Sequence, residues 1–253
     1  FGYDTRGNTA RAGDTTYTYD RAGRITVANA PRDVTGQYAS IVLADTPRAY
    51  WRLGETSGTI AADSTGNNVT ATYKNTPTRG QAALVAGETD GSVKFNGTNE
   101  FVAPKVTRID KRSFSVEAWI KPESGPAEQT VYAVHSANTA GKSFAVTVKS
   151  NGSVAVQYDA SQILTTPTDA VPFGQASHIA VVYDHAADRT RIYVNGTERA
   201  SGNQGPYVAT GGTHAIGRHR STAWKYFKGT VDDVALYLSA LPAARVAAHA
   251  NPT

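Results

Sequence analysis

The dominant pattern along the chain is a series of short runs in which apolar and polar residues alternate, with turn residues between them. Such alternation is typical of β-strands that bury one face. From residue 39 onwards the pattern predicts twelve strands: 49–53, 69–73, 92–95, 101–104, 113–121, 130–135, 143–149, 153–158, 178–183, 190–194, 213–216 and 229–238. Asn-Gly at 151–152 and 195–196 lies between alternating runs and predicts tight hairpins.

Only residues 242–250 have a helical pattern, with proline in the first turn. A dozen short strands with tight turns are typical of a sandwich. The sequence therefore predicts an all-β fold, namely a two-sheet antiparallel jelly-roll sandwich with a short C-terminal helix.

The strand predicted at 113–121 indicates which of its faces is buried. Every second residue from Phe114 to Ile120 is apolar, and this face is expected to lie between the two sheets. Glu117 and Trp119 point the other way. A tryptophan there leaves two alternatives: a central strand that is covered on both faces, or a strand that lines a concave surface.

The N-terminal segment contains a repeat with an offset of sixteen residues, which aligns Tyr3 with Tyr19 and Asp4 with Asp20. Each unit combines a short strand with an Asp-x-x-Gly turn. We expect a short β-repeat tail over 1–27, a linker over 28–38 and the sandwich over 39–253. The Tyr-Asp-x-x-Gly motif resembles the YD (Rhs) repeat of large bacterial surface and secreted proteins, and the resemblance implies a secreted or cell-surface location in bacteria.

The composition excludes several classes of chemistry. The chain has no Cys, which excludes disulfides, thiolate catalysis and Cys-based zinc sites. It also has no Met, so we interpret it as a fragment of a longer protein. The net charge is +4, and the Lys and Arg residues are scattered rather than gathered in a basic arm. The sequence also lacks an apolar run of eighteen residues. We expect neither nucleic-acid binding nor membrane insertion by this fragment.

Seven segments in order resemble the LamG-like jelly-roll family of the concanavalin A-like lectin/glucanase superfamily: 50–58, 62–68, 93–97, 114–122, 178–184, 192–196 and 227–237. The most recognisable reads Phe-Ser-Val-Glu-Ala-Trp-Ile-Lys-Pro and begins at Phe114. The resemblance covers about residues 40–250. It implies two antiparallel sheets of six or seven strands each.

One loop has the composition of a calcium site. The segment that begins at Asp63 packs oxygen ligands and a glycine into six residues, and it could offer the Asp63 carboxylate with carbonyls near Gly66 and Asn68. Strand alternation places Asp232 on the same face as Val234, where a lone buried carboxylate would need a cation or donors. The family often binds one structural calcium with this loop and this aspartate. The alternative is that Asp63 caps an Asx turn and Asp232 accepts backbone hydrogen bonds.

A second candidate site is aromatic and cationic. Trp224 and Tyr226 lie in a predicted loop before the last strand, and Arg218 precedes them closely. Sugar-binding sites combine a rigid aromatic platform with a few polar groups, so these three residues are our candidates for ligand binding. The alternative is that Trp224 covers a sheet edge or the N-terminal tail.

Nothing in the sequence indicates catalysis. Glucanases of the superfamily carry a Glu-x-Asp-x-x-Glu triplet, because glycoside cleavage needs paired carboxylates, and the chain lacks it. We expect a non-catalytic recognition or adhesion module that binds a glycan or a protein, on another cell or on the same parent protein, with a structural calcium. The alternatives are an architectural spacer or plug without its own ligand, and a glycan-processing enzyme.

Overall fold

A computed structural model describes residues 2–12, 15–29, 37–106, 113–136, 143–158, 161–203, 212–219 and 225–252 of the chain. The chain divides into two compact units, Phe1–Val34 and Thr35–Thr253. The first unit contains the strands β1 (Gly2–Tyr3), β2 (Thr9–Ala12), β3 (Thr15–Tyr19) and β4 (Ile25–Asn29).

The second unit consists of short strands and two helices, which the following list gives in chain order. They are α1 (Gln37–Ala44), β5 (Ala49–Trp51), β6 (Ile60–Ala61), β7 (Ala71–Lys74), β8 (Thr78–Gln81), β9 (Ser92–Asn96), β10 (Phe101–Pro104), β11 (Phe114–Pro122), β12 (Glu128–Ser136), β13 (Phe144–Lys149), β14 (Val154–Tyr158), β15 (Ser161–Thr165), β16 (Ser177–Asp184), β17 (Arg189–Val194), β18 (Thr197–Asn203), β19 (Gly212–Ile216), β20 (Arg218–His219), β21 (Lys225–Tyr226), β22 (Lys228–Tyr237) and α2 (Ala243–Ala250).

The N-terminal unit is an antiparallel meander in the order β1-β2-β3-β4. The repeat in sequence is also a repeat in structure, because the same turn occurs twice. Asp4 and Asp20 each accept backbone N–H groups from residues two and four positions ahead, at 2.8–3.0 Å. Gly7 and Gly23 complete the turns with φ of 84° and 77°, where glycine is favoured. The resemblance to YD repeats stays a prediction.

The second unit is the predicted sandwich of two antiparallel sheets. Sheet I has the order β15-β14-β13-β12-β19-β10-β7-β6. Sheet II has the order β18-β17-β16-β11-β22-β9-β8, and β5 pairs with β22 beside it. All twelve strands expected from the sequence are present. In the described residues each sheet has eight strands rather than the expected six or seven. The sequence pattern missed short or polar strands such as β6, β8 and β18, because these strands lack a clear apolar alternation.

An apolar core fills the space between the sheets. Its largest fully buried side chains include Trp51, Phe95, Phe144 and Phe227. Each such side chain contributes roughly 2 kcal/mol or more by leaving water. The Trp51 indole N–H donates to the carbonyl of Val69 at 2.7 Å, so its burial leaves no polar atom unsatisfied. The alternate residues from Phe114 to Ile120 belong to this core, as predicted.

A second apolar layer covers the outer face of sheet II. Tyr38 and Val42 from α1 and Val246 from α2 pack there against sheet residues such as Tyr237. Trp119 packs edge-to-face on Tyr38, with ring centroids 6.3 Å apart. Of the two alternatives for β11, the structure therefore has the strand that is covered on both faces.

Helix α1 was not expected from the sequence. Its residues include the β-branched Ile41 and Val42, which favour strands, and it lacks an acidic first turn. Contacts with sheet II hold these residues as a helix. Of the linker predicted at 28–38, the first two residues belong to β4 and the last two to α1, and residues 30–36 lie outside the described residues.

The alternation along β22 is interrupted by a β-bulge. Glu117 pairs with Ala235 and Trp119 pairs with Asp232, so Asp233 and the residue after it face a single residue of β11. Asp233 has a φ of 49°. The expectation that Asp232 shares a face with Val234 is therefore wrong. The bulge inserts one residue, and Asp232 lies with Trp119 on the outer side of sheet II.

A fully buried carboxylate links the outer layer to sheet II. Glu117 accepts a hydrogen bond from the Tyr237 hydroxyl at 2.6 Å and contacts His249 Nδ1 at 2.9 Å. His249 Nε2 lies 2.8 Å from Asp45, and Arg245 also pairs with Asp45 at 2.7 Å. His178 Nε2 lies 3.3 Å from Glu117. These contacts connect α2, the end of α1 and three strands of sheet II, β11, β16 and β22.

The charges in this network shift the pKa values of its members in opposite directions. Burial alone would raise the pKa of Glu117, but hydrogen bonds and charges from His178 and His249 lower it to about 2. Burial alone would lower the pKa of His249, yet Glu117 and Asp45 raise it. Both groups are therefore charged in mildly acidic solution.

We predict that His249→Gln lowers the free energy of unfolding by about 3 kcal/mol near pH 6, because Glu117 is left buried without its cation. Since the pKa of His249 is raised on folding, its contribution is complete below about pH 6.5 and is lost as the pH rises through the folded value. Urea unfolding from pH 5 to 9 measures both effects. His185→Gln is the control, because His185 is exposed. Equal losses in the two variants, or a wild type without alkaline loss, would contradict the prediction.

Candidate functional site

Two of the predicted ligand-binding residues meet in a small ribbon. Strands β20 and β21 pair so that Arg218 faces Tyr226 and His219 faces Lys225. The ribbon follows β19 through Gly217, whose φ is 85° and whose added Cβ would lie 3.0 Å from the ring of Phe95. Only glycine fits both conditions. Trp224, the third predicted residue, lies outside the described residues.

The ribbon lies against the outer face of sheet I. The Arg218 guanidinium lies 3.8 Å from the ring centroid of Phe101 in β10. The His219 ring packs edge-to-face on His135 in β12, at 5.0 Å. Neighbouring residues in both strands, such as Val102, belong to the core between the sheets. Strand alternation thus directs Phe101 and His135 outwards.

Glu128 is the centre of a polar cluster beneath the ribbon. Its carboxylate accepts hydrogen bonds from the Thr147 hydroxyl at 2.7 Å, from the Gln157 amide and from the Lys225 ammonium. Burial raises the pKa of Glu128, but the hydrogen bonds from Lys225 and Thr147 outweigh it and lower the pKa. The carboxylate is therefore ionised and already bound at neutral pH, which does not suit a general acid.

The histidines at this end of sheet I are held in their neutral form. Burial, with a smaller effect of His135, lowers the pKa of His214 to about 3. His214 Nδ1 lies 2.6 Å from the Tyr132 hydroxyl. Burial and the charge of Lys225 lower the pKa of His219. Acid solution would therefore force protons onto buried rings that have cationic neighbours.

Two residues beside the ribbon were missed by sequence reasoning. Phe101 pairs with Lys74 of β7, and Lys74 is exposed on the same outer face. We call the set Lys74, Phe101, Arg218 and Tyr226 the cationic strip. Alternation around Val102 was the signal that could have identified Phe101 as outward-facing. No sequence signal linked it to Lys74 or Arg218, because three separate strands contribute to the strip.

The loop predicted to bind calcium is organised by Asp63 itself. The Asp63 carboxylate accepts hydrogen bonds from the backbone N–H groups of Tyr50, Thr65 and Val69 at 2.9–3.1 Å, and from the Thr65 hydroxyl at 2.8 Å. Gly66 and Asn68 make the turn with φ of 79° and 57°. These are the contacts of the Asx-turn alternative.

Asp232 has a different environment. One of its carboxylate oxygens accepts the backbone N–H of Leu84 at 2.8 Å, and the other is buried without a hydrogen-bond partner. One oxygen of Asp233 is likewise unpartnered, and the Tyr50 hydroxyl donates to the other. Burial raises the pKa of Asp232 to about 8. Burial and the charge of Asp232 raise the pKa of Asp233 well above its usual range.

A surface cleft of about 290 Å³ lies near these carboxylates. Arg52 and Asp90 line it together with Ala62 and Ser64, the two neighbours of Asp63. Arg52 Nε lies 2.9 Å from Asp90, an ion pair that does not have hydrogen-bond geometry. Within the described ranges, no group of three His, Asp or Glu side chains converges in an arrangement that could hold a metal ion. The calcium prediction therefore stays a prediction.

A family comparison decides which fold family the sandwich represents. Residues 95–247 match the model of the Laminin_G_3 family, described as the concanavalin A-like lectin/glucanases superfamily. The chain belongs to this family. No curated protein sequence matches the chain. The family supports the LamG-like resemblance expected from the sequence.

Solved structures show the same fold at low sequence identity. The Trypanosoma rangeli sialidase in complex with 2,3-difluorosialic acid has a TM-score of 0.60 and 17% identity, covering 79% of this chain and 32% of the sialidase. Domain 4 of AbnA, a GH43 extracellular arabinanase from Geobacillus stearothermophilus in complex with arabinotriose, has a TM-score of 0.59 and 20% identity, covering 81% of this chain and 98% of that domain.

The Ruminococcus gnavus IT-sialidase CBM40, bound to alpha2,3 sialyllactose, has a TM-score of 0.52 and 14% identity, covering 62% of this chain and 95% of that chain. The chain thus spans about a third of the sialidase and nearly the whole of the two smaller domains. Neither α1 nor α2, the helices of the described part of the chain, is long and apolar enough to cross a membrane.

We predict that between pH 6.5 and 4.5 the unfolding free energy of the wild type falls by roughly 2 kcal/mol relative to that of His214→Gln, because the unfolded wild-type chain protonates His214 and the folded chain does not. The raised pKa values of Asp232 and Asp233 act equally in both proteins. The stabilising contribution of His249 is already complete in this interval, so it does not obscure the effect. Denaturant midpoints at the two pH values measure it. An acid loss that is identical in variant and wild type would show that His214 is not responsible.

Proposed function

We propose that the chain is a non-catalytic carbohydrate-binding module of a larger secreted or cell-surface protein, and that the cationic strip contributes its ligand site. The observation that carries the proposal is the strip itself, where Arg218 and Tyr226 meet on a ribbon above the outer face of sheet I. An aromatic ring beside fixed hydrogen-bond donors matches the chemistry of sugar recognition.

The family and its structural neighbours support this choice. The AbnA domain was solved with arabinotriose and the CBM40 domain with sialyllactose, so two domains of this fold have been solved with glycans. Both come from proteins that act on glycans. Carrying glycan binding over to this chain remains our proposal, since identities of 20% and 14% establish only the fold.

The carboxylates support a binding role over hydrolysis. Most glycoside hydrolases use one protonated and one ionised carboxyl group on opposite sides of the scissile bond. Glu128 is occupied by three donors, and Glu117 is enclosed beneath α2. Asp232 and Asp233 are buried on the side of sheet II away from the strip. We therefore propose recognition without catalysis.

We predict that a soluble polysaccharide in the gel retards the protein in affinity electrophoresis, and that Tyr226→Ala and Arg218→Ala weaken the binding on the order of tenfold, because each removes a direct ligand contact. Trp224→Ala tests the remaining predicted residue. Arg199→Ala is the control, since Arg199 is exposed on β18 of sheet II. If no polysaccharide retards the protein, the alternative of an architectural spacer or plug is favoured.

We also propose that a calcium ion stabilises the sandwich at Asp232. The unpartnered buried oxygen of Asp232 is the group that fits a cation, since calcium accepts carboxylates and backbone carbonyls together. Asp90 and Asp233 lie within electrostatic reach of Asp232, and a bound cation would favour their ionised forms. Asp63 would support the site through its loop, because its lone pairs already accept hydrogen bonds.

We predict that saturating calcium raises the melting temperature of the wild type, with a gain of about 2.7 kcal/mol at a free concentration a hundredfold above Kd. Asp232→Asn should abolish the calcium response. Without calcium, the variant should be at least as stable as the wild type, because it loses a costly buried carboxylate. Glu198→Gln, at an exposed carboxylate, is the control. A wild-type melting temperature that is the same in calcium and in EDTA would end this proposal.

A further inference from the structure

We infer that the ligand of the cationic strip is an acidic polysaccharide whose sugars carry carboxylates. The inference rests on the proposed function and adds the chemical class of the ligand. It follows from the way three strands place two cations around one aromatic ring on the outer face of sheet I.

The two cations lie on opposite sides of Phe101. Lys74 is the direct strand neighbour of Phe101 on β7. Arg218 approaches from the β19 side, because Ile216, two residues earlier, pairs with Val102. Since directly paired residues on neighbouring strands lie about 5 Å apart, both charges lie within the length of one or two sugar rings.

Arg218 is held in a geometry that suits carboxylates. Its guanidinium group lies over the ring of Phe101, 3.8 Å from the centroid, so one side of the group packs on the ring. Guanidinium N–H groups lie in the plane of the group and match the two oxygens of a carboxylate. Tyr226, the ribbon partner of Arg218, places an aromatic side chain beside this donor. A sugar ring with an attached carboxylate would meet both groups.

The nearest acidic residues along these strands are engaged elsewhere. Glu100, which precedes Phe101, accepts the backbone N–H of Asn96 at 2.7 Å. Glu128, beneath the ribbon, accepts from Lys225 and Thr147. Lys74 is exposed. The strip thus places the Arg218 guanidinium and the exposed Lys74 ammonium on the same outer face of sheet I.

The test compares polygalacturonate with its fully methyl-esterified form. The two polymers have the same sugar backbone, and esterification removes the charges of the carboxyl groups. We expect the wild type to bind polygalacturonate at least tenfold more tightly than the ester, with an affinity that falls as salt is raised. Lys74→Gln with Arg218→Gln should remove most of this preference. Lys121→Gln with Arg199→Gln removes the same charge from exposed positions on sheet II and should leave the preference intact.

Each other outcome contradicts a distinct part of the account. Equal binding of both polymers would overturn the acidic ligand and leave carbohydrate binding standing. Equal losses in the two double variants would reduce the preference to general attraction by a basic protein and overturn the strip. Binding of dextran sulfate alone would overturn the carboxylate. Binding of no polymer, neutral or acidic, would overturn the proposed function as well. If the first double variant fails to fold, Lys74→Gln alone, at an exposed position, should still lower the preference.

Discussion

The buried carboxylate of Glu117 is the constraint on which the arrangement of the second unit depends. A charge inside a protein must be neutralised by partners, and Glu117 obtains them from α2 through His249 and from sheet II through Tyr237. Asp45 extends the network to the end of α1. The two helices are therefore fixed on the outer face of sheet II, and that part of the sheet is closed. The ribbon of β20 and β21 lies on the outer face of sheet I, which is the surface that we propose for recognition.

The β-bulge in β22 is a second constraint on the structure of this unit. It changes the side on which the residues after Asp233 point, so Val234 and Leu236 lie in the core between the sheets and Tyr237 lies in the outer layer. Asp232 and Asp233, at the bulge, lie within electrostatic reach of Asp90 and Arg52, and burial raises the pKa values of both. A bulged strand that carries two acids is costly to fold, and a cation would remove much of this cost.

Much of the sandwich could be predicted from the sequence, because its strands bury one face and alternate regularly. The run from Phe114 to Ile120 identified the core side correctly. Helix α1 could not be predicted, since contacts with sheet II override the local preferences of Ile41 and Val42. The face of Asp232 was predicted wrongly, because a bulge is not visible in a count of alternating positions.

The candidate site was less predictable for a related reason. Arg218 and Tyr226 were recognisable as an aromatic and cationic pair near each other in the chain. Their partners Phe101 and Lys74 are more than a hundred residues away from them, and only the strand order of sheet I brings these residues together. The energetic role of Glu117 was also missed, because its partner His249 is 132 residues away.

An amide chemical-shift titration with polygalacturonate fragments tests the central claim, that the outer face of sheet I is the recognition surface, most directly. The account predicts the largest shifts in 72–74, 101–103 and 216–219 and at residues 225–226, with little change in β16, β17 and the helices. Shifts concentrated on sheet II or α2 would contradict it.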